Sequence, residues 1–328
     1  MKPHRYIRIN HGIAVLFLLF TGVLPSTAQE GWISTRVAPT GQDLNTVYFL
    51  DSKRGWVGGD KGFLSRTDDG GRTWVQQAVA TTDAINDIYF RDKEDGFLIA
   101  GSTIFVTRDS GTRWSEARHF VPKEFNGATV ELYSVRFASK KRGWVVGSIS
   151  KRDQVIDSIL VYTEDGGETW TRRRAPSRLE LIAIDFDDEK RGWIAGAGGT
   201  ILKTVDGGQT WTAQNSGTTA TVYHIDFRDD KKGWAVGERG TILRTTDGGE
   251  HWEPVAVRAR STLLSVQFVN DDKGWAVGRS GTILRTADGG RTWVQQESAT
   301  KQNLYAFYFN KKNCWAVGAD GMVLRYER

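Results

Sequence analysis

Cysteine, methionine and proline are scarce in this chain, with one, two and six residues respectively among 328. A single cysteine, Cys314, excludes an internal disulfide framework. It lies beside Trp315 in a strand pattern and reads as a small buried hydrophobe. Charge of one sign is also lacking. The formal charge of +5 falls to +2 without Lys2, Arg5 and Arg8, too balanced to argue for nucleic acid as a partner. The apolar run from Ile13 to Leu24 is shorter than the roughly 20 residues a membrane span needs. With those three basic residues before it and the small Ser26 and Ala28 after it, the run reads as a secretory signal over residues 1–28. Residues 29–328 then form one exported domain, periplasmic, extracellular or on the equivalent of the thylakoid lumen side; an uncleaved anchor is the competing reading. His119, His224 and His251 have neither metal-ligand spacing nor a nucleophile motif nearby. No serine-centred elbow or phosphate loop occurs, so no metal or cofactor is expected.

What is present is repetition. Arg54-Gly55-Trp56-Val57-Gly58-Gly59 recurs as Arg142–Gly147, Arg191–Gly196, Lys232–Gly237 and Lys273–Gly278, with variants at Asp95–Ala100 and Asn313–Gly318. A second motif, Thr67-Asp68-Asp69-Gly70-Gly71-Arg72-Thr73-Trp74, has counterparts ending at Trp114, Trp170, Trp211, Trp252 and Trp293. The unit is about forty residues long and reads as four short strands, which is a propeller blade. In the fifth unit these strands are predicted at Val222–Phe227, Gly233–Gly237, Thr241–Thr245 and from Trp252 onward. The seventh unit stops at Arg325-Tyr326-Glu327-Arg328, before its tryptophan. Gly31-Trp32-Ile33-Ser34 resembles the missing piece, so the N-terminal strand is expected to complete the last blade. The fold class is therefore all-β, a seven-bladed β-propeller of four-stranded blades closed by its own N-terminal strand. Closure removes the free edges of an open sheet, and a ring without a free edge is expected to be monomeric. All 13 tryptophans fall in register with this scheme.

The Thr-x-Asp-x-Gly-x-Thr-Trp motif is the Asp-box. Its carboxylates, Asp69, Asp109, Asp165, Asp206, Asp247 and Asp288, are placed to accept N–H groups across a turn in which glycine supplies φ > 0, a structural role. Asp-boxes also occur in sialidases and other glycosidases, so a secreted glycan-binding protein or a sialidase-like glycosidase is the alternative function. That chemistry needs converging arginines with a tyrosine nucleophile, or paired carboxylates at the channel mouth. The innermost strands end in Tyr48, Tyr89, Arg136, Asp185, Asp226, Gln267 and Tyr308, each followed by Phe. Asp185 and Asp226 are the only acidic pair the sequence places near the channel, and a solvated channel wall is the preferred reading. The chain is not expected to be an enzyme.

Arginine is more informative. Arg66, Lys203, Arg244, Arg285 and Arg325 precede the Asp-box threonine in five consecutive blades of the closed ring. They either pair between blades or form a basic arc for a partner. In a four-stranded blade, the link to the next blade and the second-to-third loop emerge on one face. The departures from the repeat map there: the long link from Ser115 to Val130, the insertion from Ser148 to Ser158 with Lys151 and Arg152, then Arg172, Arg173, Arg174 and Arg178, and also Arg258 and Arg260. Insertions gathered on one face of a repeat protein mark a binding face, and Arg suits planar carboxylate or peptide recognition.

The Arg/Lys-Gly-Trp-x-x-Gly second strands, Gly-Thr-Ile-Leu-Arg-Thr third strands and Asp-Gly-Gly turns resemble the photosystem II assembly and stability factor family of cyanobacteria and chloroplasts, from about Gly31 to Arg328. The resemblance implies a non-catalytic, extracytoplasmic protein-binding scaffold near a membrane surface. It also implies a membrane-protein client, a photosystem II reaction-centre core subunit, held by an arginine-rich surface. The first 28 residues depart from that family's usual signals, since they carry neither a lipidation cysteine nor an Arg-Arg pair. Relatives of this propeller also occur in non-photosynthetic bacteria.

Overall fold

The computed structural model describes residues 31–310 and 313–327; the expected signal segment lies outside them. The described chain forms seven four-stranded antiparallel sheets. Blade one comprises an innermost strand Leu44–Phe49, a second Gly55–Gly59, a third Leu64–Thr67 and an outer Val75–Gln77. The remaining blades repeat this order, and the seventh takes Gly31–Arg36 as its outer strand, paired antiparallel to Met322–Glu327 from Gly31↔Glu327 to Arg36↔Met322. The ring is therefore closed as the sequence implies. In blade five the strands run Val222–Phe227, Gly233–Gly237, Ile242–Thr245 and Glu253–Pro254. Thr241 closes a tight turn instead of starting the third strand, donating its N–H to the carbonyl of Glu238.

The five-residue second strands are buried along their whole length because each is covered by a neighbouring blade on both faces, hence the unbroken Gly-Trp-Ala-Val-Gly runs. Outer strands are exposed and polar. Between blades runs an aromatic ladder. Except at Trp144, which stacks on Tyr162 of its own blade, the second-strand tryptophan of one blade stacks on the phenylalanine that ends the next blade's innermost strand. Ring centroids are 3.4 Å apart for Trp193 with Phe227 and for Trp234 with Phe268, and 3.6 Å for Trp315 with Phe49 across the closing joint. The tryptophan that follows that next blade's acidic turn meets the same phenylalanine edge-on, as Trp252 meets Phe227 at 5.8 Å.

The indole N–H then crosses the joint. Trp144, Trp193, Trp234 and Trp315 donate to the carbonyls of Gly207, Gly248, Gly289 and Gly70 at 3.0–3.3 Å, each carbonyl lying in the acidic turn of the following blade. Glycine is required beside these carbonyls. At Gly208, φ is +88° and a Cβ would lie 2.3 Å from the Trp144 ring. The aspartates hold the turns in shape. Asp69 Oδ1 accepts the N–H groups of Arg72 and Thr73 at 2.9 Å, and Oδ2 the Thr73 hydroxyl at 2.6 Å. Asp109, Asp165, Asp206, Asp247 and Asp288 each accept the equivalent main-chain N–H at 2.9–3.0 Å.

One joint lacks the indole. Blade two has Phe97 in the tryptophan position, and it stacks on Phe137 at 4.5 Å. There Arg91 reaches across and donates Nη1 to the carbonyl of Gly166 at 2.9 Å and of Lys140 at 2.7 Å. Gly166 is the counterpart of Gly207, so a guanidinium makes the bond an indole makes elsewhere. Arg91→Ala should therefore lose about 1–3 kcal/mol in urea unfolding, and adding Phe97→Trp should restore most of it. A double variant no more stable than the single one would show that the two donors are not equivalent.

Candidate functional site

The seven innermost strands surround a central channel of about 450 Å³. Side chains repeat along each strand at a period of two, so the wall is layered. One layer carries Tyr48, Tyr89, Arg136, Asp185, Asp226, Gln267 and Tyr308. Asp185 and Asp226 do line the channel, and each is tied to the next blade: Asp185 Oδ2 accepts the N–H of Phe227 and Asp226 Oδ2 that of Phe268, both at 2.8 Å. Gln267 does the same for Phe309 at 2.7 Å, and the hydroxyls of Tyr48 and Tyr308 donate to the carbonyls of Phe90 and Phe49. A third acid, Asp87, also lines the channel. It receives Val135 N–H at 3.0 Å, the Ser134 hydroxyl at 3.1 Å and Arg136 Nη1 at 2.7 Å. Its spacing of two from Tyr89 was the sequence signal for that placement.

Burial pushes the Asp185 carboxyl up to about 6 against the opposing pull of the Phe227 N–H and the Arg136 charge. Burial and then the Asp185 charge raise Asp226 further above the usual carboxylate range. Burial, aided by Arg136, lowers His224 to about 3, so it is neutral at ordinary pH.

The arginines divide by environment. The outer strand of blade three is Thr171–Arg173, and it borders a cleft of about 760 Å³ whose far wall is Gln209–Trp211 of blade four. Arg172, Arg173, Arg174 and Arg178 all line it. Arg172 and Arg173 do not lie on the inter-blade connection, as the sequence suggested. They pair with Val161 and Leu160 as part of the sheet, which continues past the acidic turn. Arg173 packs inward, its guanidinium 4.1 Å from the Tyr162 ring centroid and 5.5 Å from that of Trp144, with Nη1 directed at the carbonyl of Gly208 at 3.4 Å. Arg172 pairs with Asp157 at 3.2 Å and lies over Phe125. Arg174 and Arg178 are exposed and make no ion pair among the described residues. Lys151 and Arg152 lie at the end of a nearby hairpin, where Lys151 Nζ donates to the carbonyl of Asn126 at 3.2 Å. Arg258 and Arg260 are exposed on the link between blades five and six and are not part of this cleft.

The five residues of the candidate basic arc sit between blades. Each is the cross-strand partner of a second-strand tryptophan: Arg66 of Trp56, Lys203 of Trp193, Arg244 of Trp234, Arg285 of Trp275 and Arg325 of Trp315. Arg66 bonds Asp68, Lys203 bonds Glu250 of the next blade at 2.6 Å, Arg244 Nε donates to the carbonyl of Gly289 at 2.9 Å, Arg285 lies over Trp275, and Arg325 bonds Glu327.

The channel carboxylates have a stability consequence. A carboxyl whose folded value is raised favours the fold below its unfolded value near 4, and that contribution is lost as pH rises through about 6. Asp226→Asn keeps an oxygen for the Phe268 N–H and removes one of the two charges. Between pH 5 and about 7.5, its urea midpoint should rise relative to the unsubstituted chain. Parallel pH profiles for the two proteins would contradict a proton held in the channel.

Against known proteins, the model of the photosynthesis system II assembly factor YCF48 family matches residues 73–180, 214–262 and 254–327, more than half of the chain. The photosystem II assembly lipoprotein Ycf48 of Synechococcus sp. (strain CC9902) is 29% identical over 94 residues, 28% of this chain and 25% of its own length. The chloroplastic photosystem II stability/assembly factor HCF136 of Arabidopsis thaliana is 33% identical over 89 residues, 26% of this chain and 19% of its own. The matched stretches thus span a quarter or less of these curated relatives. A solved structure of YCF48 bound to a D1 peptide superposes with a TM-score of 0.72 at 21% identity, covering 90% of this chain and 95% of that one, a likeness of fold. With the family model matched across most of the ring, this chain belongs to the photosynthesis system II assembly factor YCF48 family.

Proposed function

We propose that this chain is a non-catalytic, exported scaffold for photosystem II assembly that holds an acidic, extended segment of a reaction-centre client in the cleft between blades three and four. The observation that carries the reading is the cleft itself: four arginines in or beside one outer strand, two of them exposed and without an ion pair among the described residues. Guanidinium groups bind carboxylates through paired, charge-assisted hydrogen bonds. The cleft has a fixed wall because Arg173 is clamped over Tyr162, so little side-chain order remains to be imposed on that side when a peptide enters. Family membership supports the role, and the D1 peptide on a structural relative supports the class of client.

The reading separates neighbouring arginines. Arg174→Ala with Arg178→Ala should weaken binding of a fluorescent D1 peptide at least tenfold, with a thermal midpoint close to that of the unsubstituted chain. The loss should shrink at high salt, where exposed charges are screened. Arg173→Ala should instead lower the thermal midpoint, since it removes the stack on Tyr162. Unchanged peptide affinity in the Arg174, Arg178 double variant would refute the cleft as the binding site.

A further inference from the structure

In blade one the second and third strands are joined by a three-residue turn, Asp60–Gly62. Blade three departs from this. Its second and third strands run Gly143–Lys151 and Gln154–Thr163 and meet at Arg152 and Asp153, both with positive φ, +54° and +60°, the geometry of a two-residue hairpin turn. The four residues after Gly147 carry the tip roughly 13 Å past the point where an ordinary blade turns back. The arm is braced. Thr129 and Val130 of the innermost strand pair with Ser150 and Ile149, and Ile149 is buried in one cluster with Phe120, Phe125 and Val130 of the long link and the strand it leads into.

At the end of this stiff arm the ladder bulges: Ile149 pairs with Asp157 and Ser150 with Val155, leaving Ile156 unpaired. Val155 and Ile156 are 45% and 50% exposed, and Val121 on the bracing link is 39% exposed. Lys123, Lys151 and Arg152 flank them and, like the single turn carboxylate Asp153, make no ion pair among the described residues, whereas the nearby Glu124 and Asp157 are bound by Arg118 and Arg172.

We propose that this arm is a membrane-docking element whose aliphatic tip enters the headgroup region of an anionic bilayer while its lysines and arginine lie over lipid phosphates. A convex apex of two or three aliphatic side chains offers far less than the roughly 800 Å² per partner of a stable protein interface. A bilayer needs no complementary pocket. Apolar burial and attraction to anionic lipid act together on such a surface. Docking goes beyond the client-binding reading and would hold the arginine cleft, at the base of the same arm, beside the membrane.

The test uses the full chain with Ile156→Cys labelled by an environment-sensitive nitrobenzoxadiazole; Cys314 is buried and stays unlabelled in the folded protein. A second protein carries the label at Val75, 69% exposed on the outer strand of blade one, and reports any attachment through other segments. Phosphatidylglycerol vesicles should brighten and blue-shift the label at 156 and leave the label at 75 unchanged. Pure phosphatidylcholine should do much less. Lys151→Glu with Arg152→Glu should reduce the vesicle response more than tenfold. No response at 156 to phosphatidylglycerol, or one equal on both lipids and indifferent to the charge reversals, overturns the proposal. A response to the D1 peptide alone would also overturn it, assigning the arm to the client. Vesicle docking that survives in an Arg174, Arg178 double variant unable to bind peptide shows the two sites failing separately.

Discussion

The ring depends on a bond made at four joints, where the indole N–H of Trp144, Trp193, Trp234 or Trp315 is given to a turn carbonyl of the next blade, while Trp56 and Trp275 donate to Gln77 and Gln296 of their own blades. Three of these donors, Trp193, Trp234 and Trp315, are also stacked on the following blade's phenylalanine, so the same side chain supplies both apolar burial and a directed polar bond at a site where an unpaired N–H would be costly. That bond fixes what the turn can be. The carbonyl must point inward, the residue after it must be glycine, and the aspartate must collect the remaining N–H groups. The acidic turns, which could pass for catalytic carboxylates on sight, follow from the needs of the tryptophan ahead of them. The Phe97 joint supports this order of causes, because where the indole is missing, Arg91 supplies a donor to the same carbonyl.

So much of the repeat is committed to holding blades together that variation is left to the links and the outer strands. Blade three takes up most of it. Its lengthened hairpin, the link that braces it and its arginine-bearing outer strand are consecutive in space as well as in sequence, so one blade carries both the proposed cleft and the proposed docking arm. Rigidity comes from the ladder beneath. Arg173 stacks on Tyr162 and lies near Trp144, the tryptophan whose N–H bonds Gly207. The wall of the cleft is thereby an extension of the joint between blades three and four.

The architecture was legible in the sequence because it is periodic. Six acidic turns, seven second strands and a truncated last unit leave one arrangement, and Gly31–Ser34 completes it through backbone pairing that needs no special side chain. The site was legible only as a region. Arg172, Arg173 and Arg174 are three identical residues in a row; the pleat turns the middle one into the protein and its neighbours out, and only the register with Val161 and Leu160 decides which is which. The insertion from Ser148 to Ser158 could be located but not shaped. Its turn residues, Arg152 and Asp153, are not the Asn-Gly or Asp-Gly pair that announces a tight hairpin. Arg91 was invisible for a different reason: its role is set by the absence of a tryptophan six residues later, on a neighbouring strand of the same blade.

The distribution of polar groups also decides where a ligand can be held. In the channel, Asp87, Asp185, Asp226, Gln267, Tyr48 and Tyr308 each bond the main chain of an adjacent blade. A ligand recruiting the bonded atom of any of them would compete with a bond between neighbouring blades at the narrowest circumference of the ring. On the outer rim of blade three the opposite holds. Arg174 and Arg178 make no ion pair among the described residues, so in the proposed cleft an incoming acidic group would displace water and disturb no joint. The channel thus fastens the ring, and binding at the proposed rim cleft would leave that fastening intact.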